Sequence, residues 1–248
     1  MSIFSHLSML ALVVWMIFLP NILSDARADD PKARAIMEKV DARDDGDNQT
    51  ADMEMVLIDK KGKERFREIR TFSKDMGADT FRLMFFVSPA DVKHTGFLTY
   101  DYDDAEKDDD QWLFLPALKK TKRIASSDKS GSFMGSDLNY SDMTSRNLED
   151  FDFALKDELD VHGHPAWLIE SIPRTKKVVK ETVYSKSLLF VRQENFYVIR
   201  AILWVKDSGY LKYVDVKHLE QIDGIWMGTE MHVFKKKGKT LVHRTELR

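Results

Sequence analysis

The sequence predicts a mainly β protein: a single antiparallel meander preceded by one amphipathic helix. Two patterns carry that prediction. From Ala51 to the end of the chain, apolar and polar residues alternate with a period of two. The alternating runs are separated by short turn signals at residues 59–62, 162–165, 207–209, 223–224 and 237–238, of the kind that joins hairpins. Only the stretch just before them keeps a helical period. About ten or eleven strands are expected, with no linker or change of composition among them.

Ahead of that fold, residues 7–19 form one apolar run, LSMLALVVWMIFL. It is shorter than the about 20 residues that span a bilayer. Pro20 and then Ala26-Arg27-Ala28 follow, a small-x-small pattern. The segment reads as an export signal over residues 1–28, cleaved after Ala28 to leave one domain over residues 29–248. No Lys or Arg precedes the apolar run, so a retained anchor is the alternative. The chain has no cysteine. Export therefore brings no disulfide, and no lipid can be attached to an N-terminal cysteine. A formal net charge of −3 gives no support to nucleic-acid binding.

Asp30-Pro31 is a helix start, with Asp as the cap and Pro in the first helical position. Ala33, Ile36, Met37 and Val40 then fall on one face. In the first strand Met53, Met55 and Leu57 alternate with Asp52, Glu54 and Val56. Its partner, residues 63–73, mixes arginines with Phe66, Ile69 and Phe72, as a strand with one wet face would. Residues 80–88 are apolar on both faces, with Phe81, Leu83, Phe85 and Val87 on one side and Met84 and Phe86 on the other. Such a strand is expected to be covered on both sides. Residues 89–93 read as a helical turn, 96–102 as a strand and 103–110 as an acidic hairpin loop. Residues 140–148 read as a short helix or lid segment. The remaining strands are expected at 155–161, 166–172, 184–192, 197–206, 211–221, 225–235 and 240–247.

The stretch 111–142 carries the most information. Trp112 and Phe114 point to one face and Leu113 and Leu115 to the other. Pro116 ends the strand, and a return strand over 119–124 bears Lys119, Lys120, Lys122 and Arg123. A segment rich in Ser, Asp and Gly follows, with Phe133 and Met134 set between Gly131 and Gly135. Loops are normally solvated, so an apolar pair on a loop implies something to cover. The expected arrangement is a mobile flap beside an apolar pocket, next to a cationic strand.

Three blocks in this order resemble a known family. They are Ser88-Pro89-Ala90-Asp91-Val92-Lys93 with Thr95-Gly96-Phe97-Leu98, Asp110-Gln111-Trp112-Leu113 with Leu115-Pro116-Ala117-Leu118, and Lys129-Ser130-Gly131-Ser132-Phe133-Met134-Gly135-Ser136-Asp137. The chain resembles the periplasmic outer-membrane lipoprotein-sorting-like proteins, related to the LolA and LolB carriers, over most of residues 29–248. His94 departs from the family pattern, which has Gly there. The resemblance implies a strongly curved, unclosed β-barrel with helices and loops over its concave face and an apolar cavity for acyl chains. It also implies a periplasmic location, transient membrane contact and a permease partner of the resistance-nodulation-division class. The expected function is a non-enzymatic carrier of a lipid or lipoprotein; the alternative is an accessory subunit that docks on such a permease and carries nothing.

The cavity and lid candidates are Met53, Met55, Leu57, Phe81, Leu83, Phe85, Trp112, Phe114, Phe133 and Met134. Lys119, Lys120, Lys122 and Arg123 are the candidates for head-group or partner contact. Each has a plainer reading. Trp112 and Phe114 would fill a core, Phe133 and Met134 would pin a long loop, and the basic strand would be a solvated edge guarded by charge. The acidic residues between Asp101 and Asp110 lack the Gly and distal Glu of a calcium loop, so a solvated hairpin is expected. His162 and His164 offer two zinc ligands without others. No hydrolase, P-loop or dinucleotide fingerprint is present, so neither enzyme activity, metal nor cofactor is expected.

Overall fold

The computed structural model describes residues 29–248. The export segment and its cleavage site after Ala28 lie outside the described residues. Among those described, no helix is long and apolar enough to cross a membrane.

The first helix, α1, spans Pro31–Asp41. Asp30 caps it by accepting hydrogen bonds from the backbone N–H of Lys32 and Ala33. Ala33, Ile36 and Met37 are buried, and Val40 is partly buried beside them, as the helical spacing predicts. Their partners include Phe151, Phe153, Ile169 and Val191.

The strands are β1 (Asn48–Ile58), β2 (Glu64–Met76), β3 (Asp79–Ser88), β4 (Gly96–Asp101), β5 (Asp110–Leu115), β6 (Lys120–Arg123), β7 (Phe151–Val161), β8 (His164–Pro173), β9 (Tyr184–Arg192), β10 (Val198–Val205), β11 (Tyr210–Ile222), β12 (Ile225–Lys237) and β13 (Thr240–Leu247). The total is 13, above the ten or eleven expected, although each of them, the four-residue β6 included, falls on a stretch read as a strand from its alternation. A second helix, α2 (Lys176–Thr182), is capped by Thr175.

All the strands form one antiparallel sheet in the order β6-β5-β4-β3-β2-β1-β13-β12-β11-β10-β9-β8-β7. The meander is joined end to end through β1 and β13, where Met55 faces Leu247 and Leu57 faces Thr245. Its break falls between β6 and β7, so the barrel is not closed. Residues 124–150 span that break and lie across the concave face. Tight turns set the register: His162 and Gly163 have φ of 57° and 85°, and Asp223 and Gly224 have 53° and 86°, the paired positive angles of two-residue hairpins. His94 has φ 66°, a conformation that explains why a glycine suits that position.

Strand alternation divides the apolar residues between the two faces. Met55, Leu57, Ile69, Phe86, Phe97 and Leu113 face inward in one buried cluster with Phe133 and Leu138 from the covering segment. The other face of β3 differs from expectation. Phe85 is 41% exposed and Val87 is also exposed: the helices and the covering segment all lie on the concave side, and nothing among the described residues shields the convex one.

Candidate functional site

Residues 124–150 are seated on the concave face. Phe133 is 1% exposed, with its ring centroid 5.0 Å from Phe97 and 6.3 Å from Phe86. Met134 packs at the edge of the same cluster, and its carbonyl accepts a 2.5 Å hydrogen bond from the Arg67 guanidinium. The Asp137 carboxylate accepts from the Thr245 hydroxyl at 3.0 Å, and Gln111 donates to the Tyr140 carbonyl at 2.9 Å. The flap read from the sequence is therefore held shut by polar contacts as well as by its aromatic plug.

The strongest of these contacts is a buried charge cluster. Lys212, on β11, is fully buried, and its ammonium donates to Asp142 at 2.5 Å and to the Tyr184 hydroxyl at 2.7 Å. Tyr184 in turn donates to Asp142 at 3.1 Å, and the Asn139 backbone N–H donates to it at 2.7 Å. Burial pushes the Asp142 carboxyl up, but Lys212 and Arg146 outweigh that and leave it below its ordinary value. Burial lowers the Lys212 ammonium despite the pull of Asp142, and it raises the Tyr184 phenol further than the adjacent carboxylate alone would.

Beside this latch lies an apolar cavity of about 490 Å³, within the range of small-molecule sites. It opens between α1, the covering segment and the sheet from β7 to β13. Met37, Met143, Phe153, Ala201, Val214 and Met231 are among its lining residues. The charged residues Asp41, Arg43 and Asp45 line it where the chain meets solvent, which marks the mouth. Asp41, Ser145, Arg146, Leu148 and Phe151 are shared with a second, polar chamber of about 380 Å³.

Carboxylates dominate that chamber, among them Asp101, Asp108, Asp109, Asp150 and Glu181. The acidic loop is thus only partly the solvated hairpin expected from the sequence. Asp101 is buried, 2.5 Å from Arg82, and accepts from Ser145. Among the described residues no group of three or more His, Cys, Asp or Glu is placed to hold a metal. Burial raises the carboxyls of Asp109, Asp150 and Glu181 above their ordinary range. A raised carboxyl favours the folded state at acidic pH and loses that contribution as pH climbs from the ordinary value through the raised one. Glu181→Gln is accordingly expected to raise the melting temperature at neutral pH and to leave it unchanged below the carboxylate range, as thermal unfolding at the two pH values will show.

The residues proposed from the sequence divide between the faces. Met53, Met55, Leu57, Phe133 and Met134 belong to the cluster under the covering segment, next to Val214, Met231 and Leu247 of the cavity wall. Phe81, Leu83, Phe85, Trp112 and Phe114 lie on the convex face instead. Direct cross-strand pairing places Phe72, Leu83, Leu98, Trp112 and Arg123 in one row there, and Phe85, Gly96 and Phe114 in the next. Of the basic strand, Arg123 donates to Asp110 at 2.9 Å and Lys122 approaches Asp128 at 3.5 Å, while Lys119 and Lys120 are exposed. The cavity wall from β7 to β13 was missed by the sequence reading. Its signal was present in the apolar alternation of Ala201, Leu203, Val214 and Met231, but alternation does not say which face is concave.

The comparisons with known proteins agree with this geometry. A family model described as "Uncharacterized protein" matches residues 78–248. No curated protein matches the chain. A DUF1329 family protein from Desulfovibrio piger is 30% identical, with a TM-score of 0.80 over 89% of this chain and 90% of that one. A putative outer membrane lipoprotein-sorting protein domain from Vibrio parahaemolyticus is also 30% identical, with a TM-score of 0.78 over 88% of this chain and 89% of that one. A LolA superfamily protein from Nitrosomonas europaea, 19% identical, shares the fold with a TM-score of 0.64 over 87% of this chain and 91% of that one. The chain belongs to the DUF1329 family, and it shares its fold with the LolA superfamily protein.

Proposed function

We propose that this protein is a non-enzymatic periplasmic carrier that buries the acyl chains of a lipid or lipoprotein and shuttles them toward the outer membrane. The observation that carries the reading is the apolar cavity on the concave face, with a charged mouth at α1 and a latched segment over it. An acyl chain in water costs about 0.8 kcal/mol per CH₂, or about 10 kcal/mol for a dozen. A cavity of this lining offsets that cost without covalent chemistry. Met37, Met143 and Met231 in the wall adapt to tails of different shape, because an unbranched thioether repacks easily.

The lipoprotein-sorting description of the Vibrio parahaemolyticus relative supports a lipid-linked cargo, and the export signal read in residues 1–28 supports a periplasmic location. A permease of the resistance-nodulation-division class is the membrane partner that the resemblance implies. Native mass spectrometry of protein recovered from the periplasm tests the reading. A lipid adduct that organic extraction removes is expected. Protein that is bare in every preparation would instead favour a docking subunit that carries nothing.

A further inference from the structure

The polar chamber beside the apolar cavity holds donors that the protein itself does not use. Lys129 lines it and is only 5% exposed. Its ammonium makes no hydrogen bond among the described residues, and its ion-pair partner Asp109 stands 4.0 Å away. Arg146 lines both the chamber and the cavity. Its guanidinium likewise makes no hydrogen bond among the described residues and approaches Asp142 only at 3.8 Å. Ser141, 8% exposed, borders the chamber with a hydroxyl that has no partner. Buried polar groups are nearly always hydrogen-bonded, because leaving one idle costs more than a bond returns. Two cations and a hydroxyl on one polar wall suit a ligand rich in acceptor oxygens, as a phosphate is.

The rest of the wall selects what the phosphate carries. Asp150 and Glu181, with Asp41 at the rim, have no cation within ion-pair distance among the described residues. Asp101 and Asp108, by contrast, are paired with Arg82 and Lys177. Burial raises the carboxyls of Asp41, Asp150 and Glu181, and a cation among them would favour their charged forms. A ligand of both signs therefore fits: phosphate toward Lys129 and Arg146, ammonium toward the free carboxylates. A primary ammonium offers three N–H donors to such groups, whereas a quaternary one binds against open aromatic faces. Tyr102 already has the Lys107 ammonium 3.3 Å over its ring, and Phe151 is buried against Phe153, so no ring of the chamber wall offers such a face. The lining shared with the apolar cavity at Ser145, Arg146 and Leu148 lets the tails of the same molecule lie on the other side of Arg146.

We infer that the polar chamber is the head-group subsite of the carrier and takes a phosphate-linked primary amine, the head group of an aminophospholipid. The inference rests on the carrier reading, which supplies the tails, and adds to it the chemical class of the cargo.

Competitive lipid uptake tests it. Protein recovered from the periplasm is incubated with micelles holding equal amounts of phosphatidylethanolamine, phosphatidylcholine and phosphatidylglycerol with identical acyl chains. It is then re-isolated, and its bound lipid is extracted and measured by mass spectrometry. Phosphatidylethanolamine is expected to exceed each of the others by about tenfold, the scale of one charge-assisted hydrogen bond. In Asp150→Asn/Glu181→Gln the preference should collapse while total lipid stays constant, since neither residue lines the apolar cavity. Neither side chain holds an ion pair among the described residues, so the exchange leaves the fold's own contacts in place. Equal uptake of the three lipids would overturn the head-group assignment and leave the carrier reading standing; uptake of none would overturn both. A double variant that keeps the full preference would also sink the assignment. Displacement of the lipid by an equimolar amount of free ethanolamine phosphate would overturn it in favour of a soluble ligand.

Discussion

Asp142→Ala is expected to destabilise the fold by about 3–5 kcal/mol, because it leaves the Lys212 ammonium buried without its counter-charge. Lys212 is fully enclosed, so its ammonium stays out of bulk solvent when the 2.5 Å contact is lost. The Tyr184 hydroxyl that remains is a neutral acceptor and does not supply a charge. Urea unfolding of parent and variant measures the difference. The double variant Asp142→Ala/Lys212→Met should recover much of the loss, since a well-packed apolar replacement of a buried pair is often neutral. A single variant that costs less than about 1 kcal/mol, the scale of an exposed pair, would show that the latch is not the strong contact its geometry describes. The parent's contribution from Asp142 should also vanish in acid. Its carboxyl is lowered in the folded state, so the stabilisation is complete above the ordinary carboxylate value and fades as pH drops through the lowered one.

The second large effect is on cargo. Ala201 is buried in the wall of the apolar cavity, cross-strand from Leu189 and Val214. Ala201→Trp places an indole in the space that a hydrocarbon tail would occupy. The lipid adduct expected of the parent protein in native mass spectrometry should disappear. Stability should change by no more than the about 1–3 kcal/mol of overpacking, because the added volume enters a void. Undiminished lipid in this variant would move the binding site elsewhere. Val214→Phe, from the neighbouring strand, should give a graded loss and separates a filled cavity from a local distortion at Ala201.

Most of this architecture was legible in the sequence, and the exceptions have physical causes. Asp30-Pro31 and the spacing of Ala33, Ile36 and Met37 were enough for α1, because capping and periodicity are local. The hairpin turns were legible for the same reason: His162-Gly163 and Asp223-Gly224 adopt the angles that their residue types favour. Helix α2 escaped notice. Its seven residues, KKVVKET, hold too few apolar positions for a helical period and two adjacent valines that suggest a strand.

The candidate site was only half legible. Period two assigned Phe85 and Trp112 to one face and Phe86 and Leu113 to the other without saying which face the chain would cover. That choice is made by residues 124–150, whose anchors Arg67, Lys212 and Thr245 come from distant strands. The basic strand β6 was read either as a guarded edge or as a contact surface. The structure makes it a sheet edge, with Lys120 and Lys122 cross-strand from the inward Leu115 and Leu113.

The gap between β6 and β7 has a mechanical consequence. A closed barrel has a circumference fixed by its ladder, and widening it means breaking backbone hydrogen bonds along an entire strand. Here the terminal strands share none, so the sheet can uncurl like an open cuff, giving up only side-chain contacts. The girth of the container is thus set by how firmly the Lys212–Asp142 clasp holds, and a bulkier guest costs no backbone pairing.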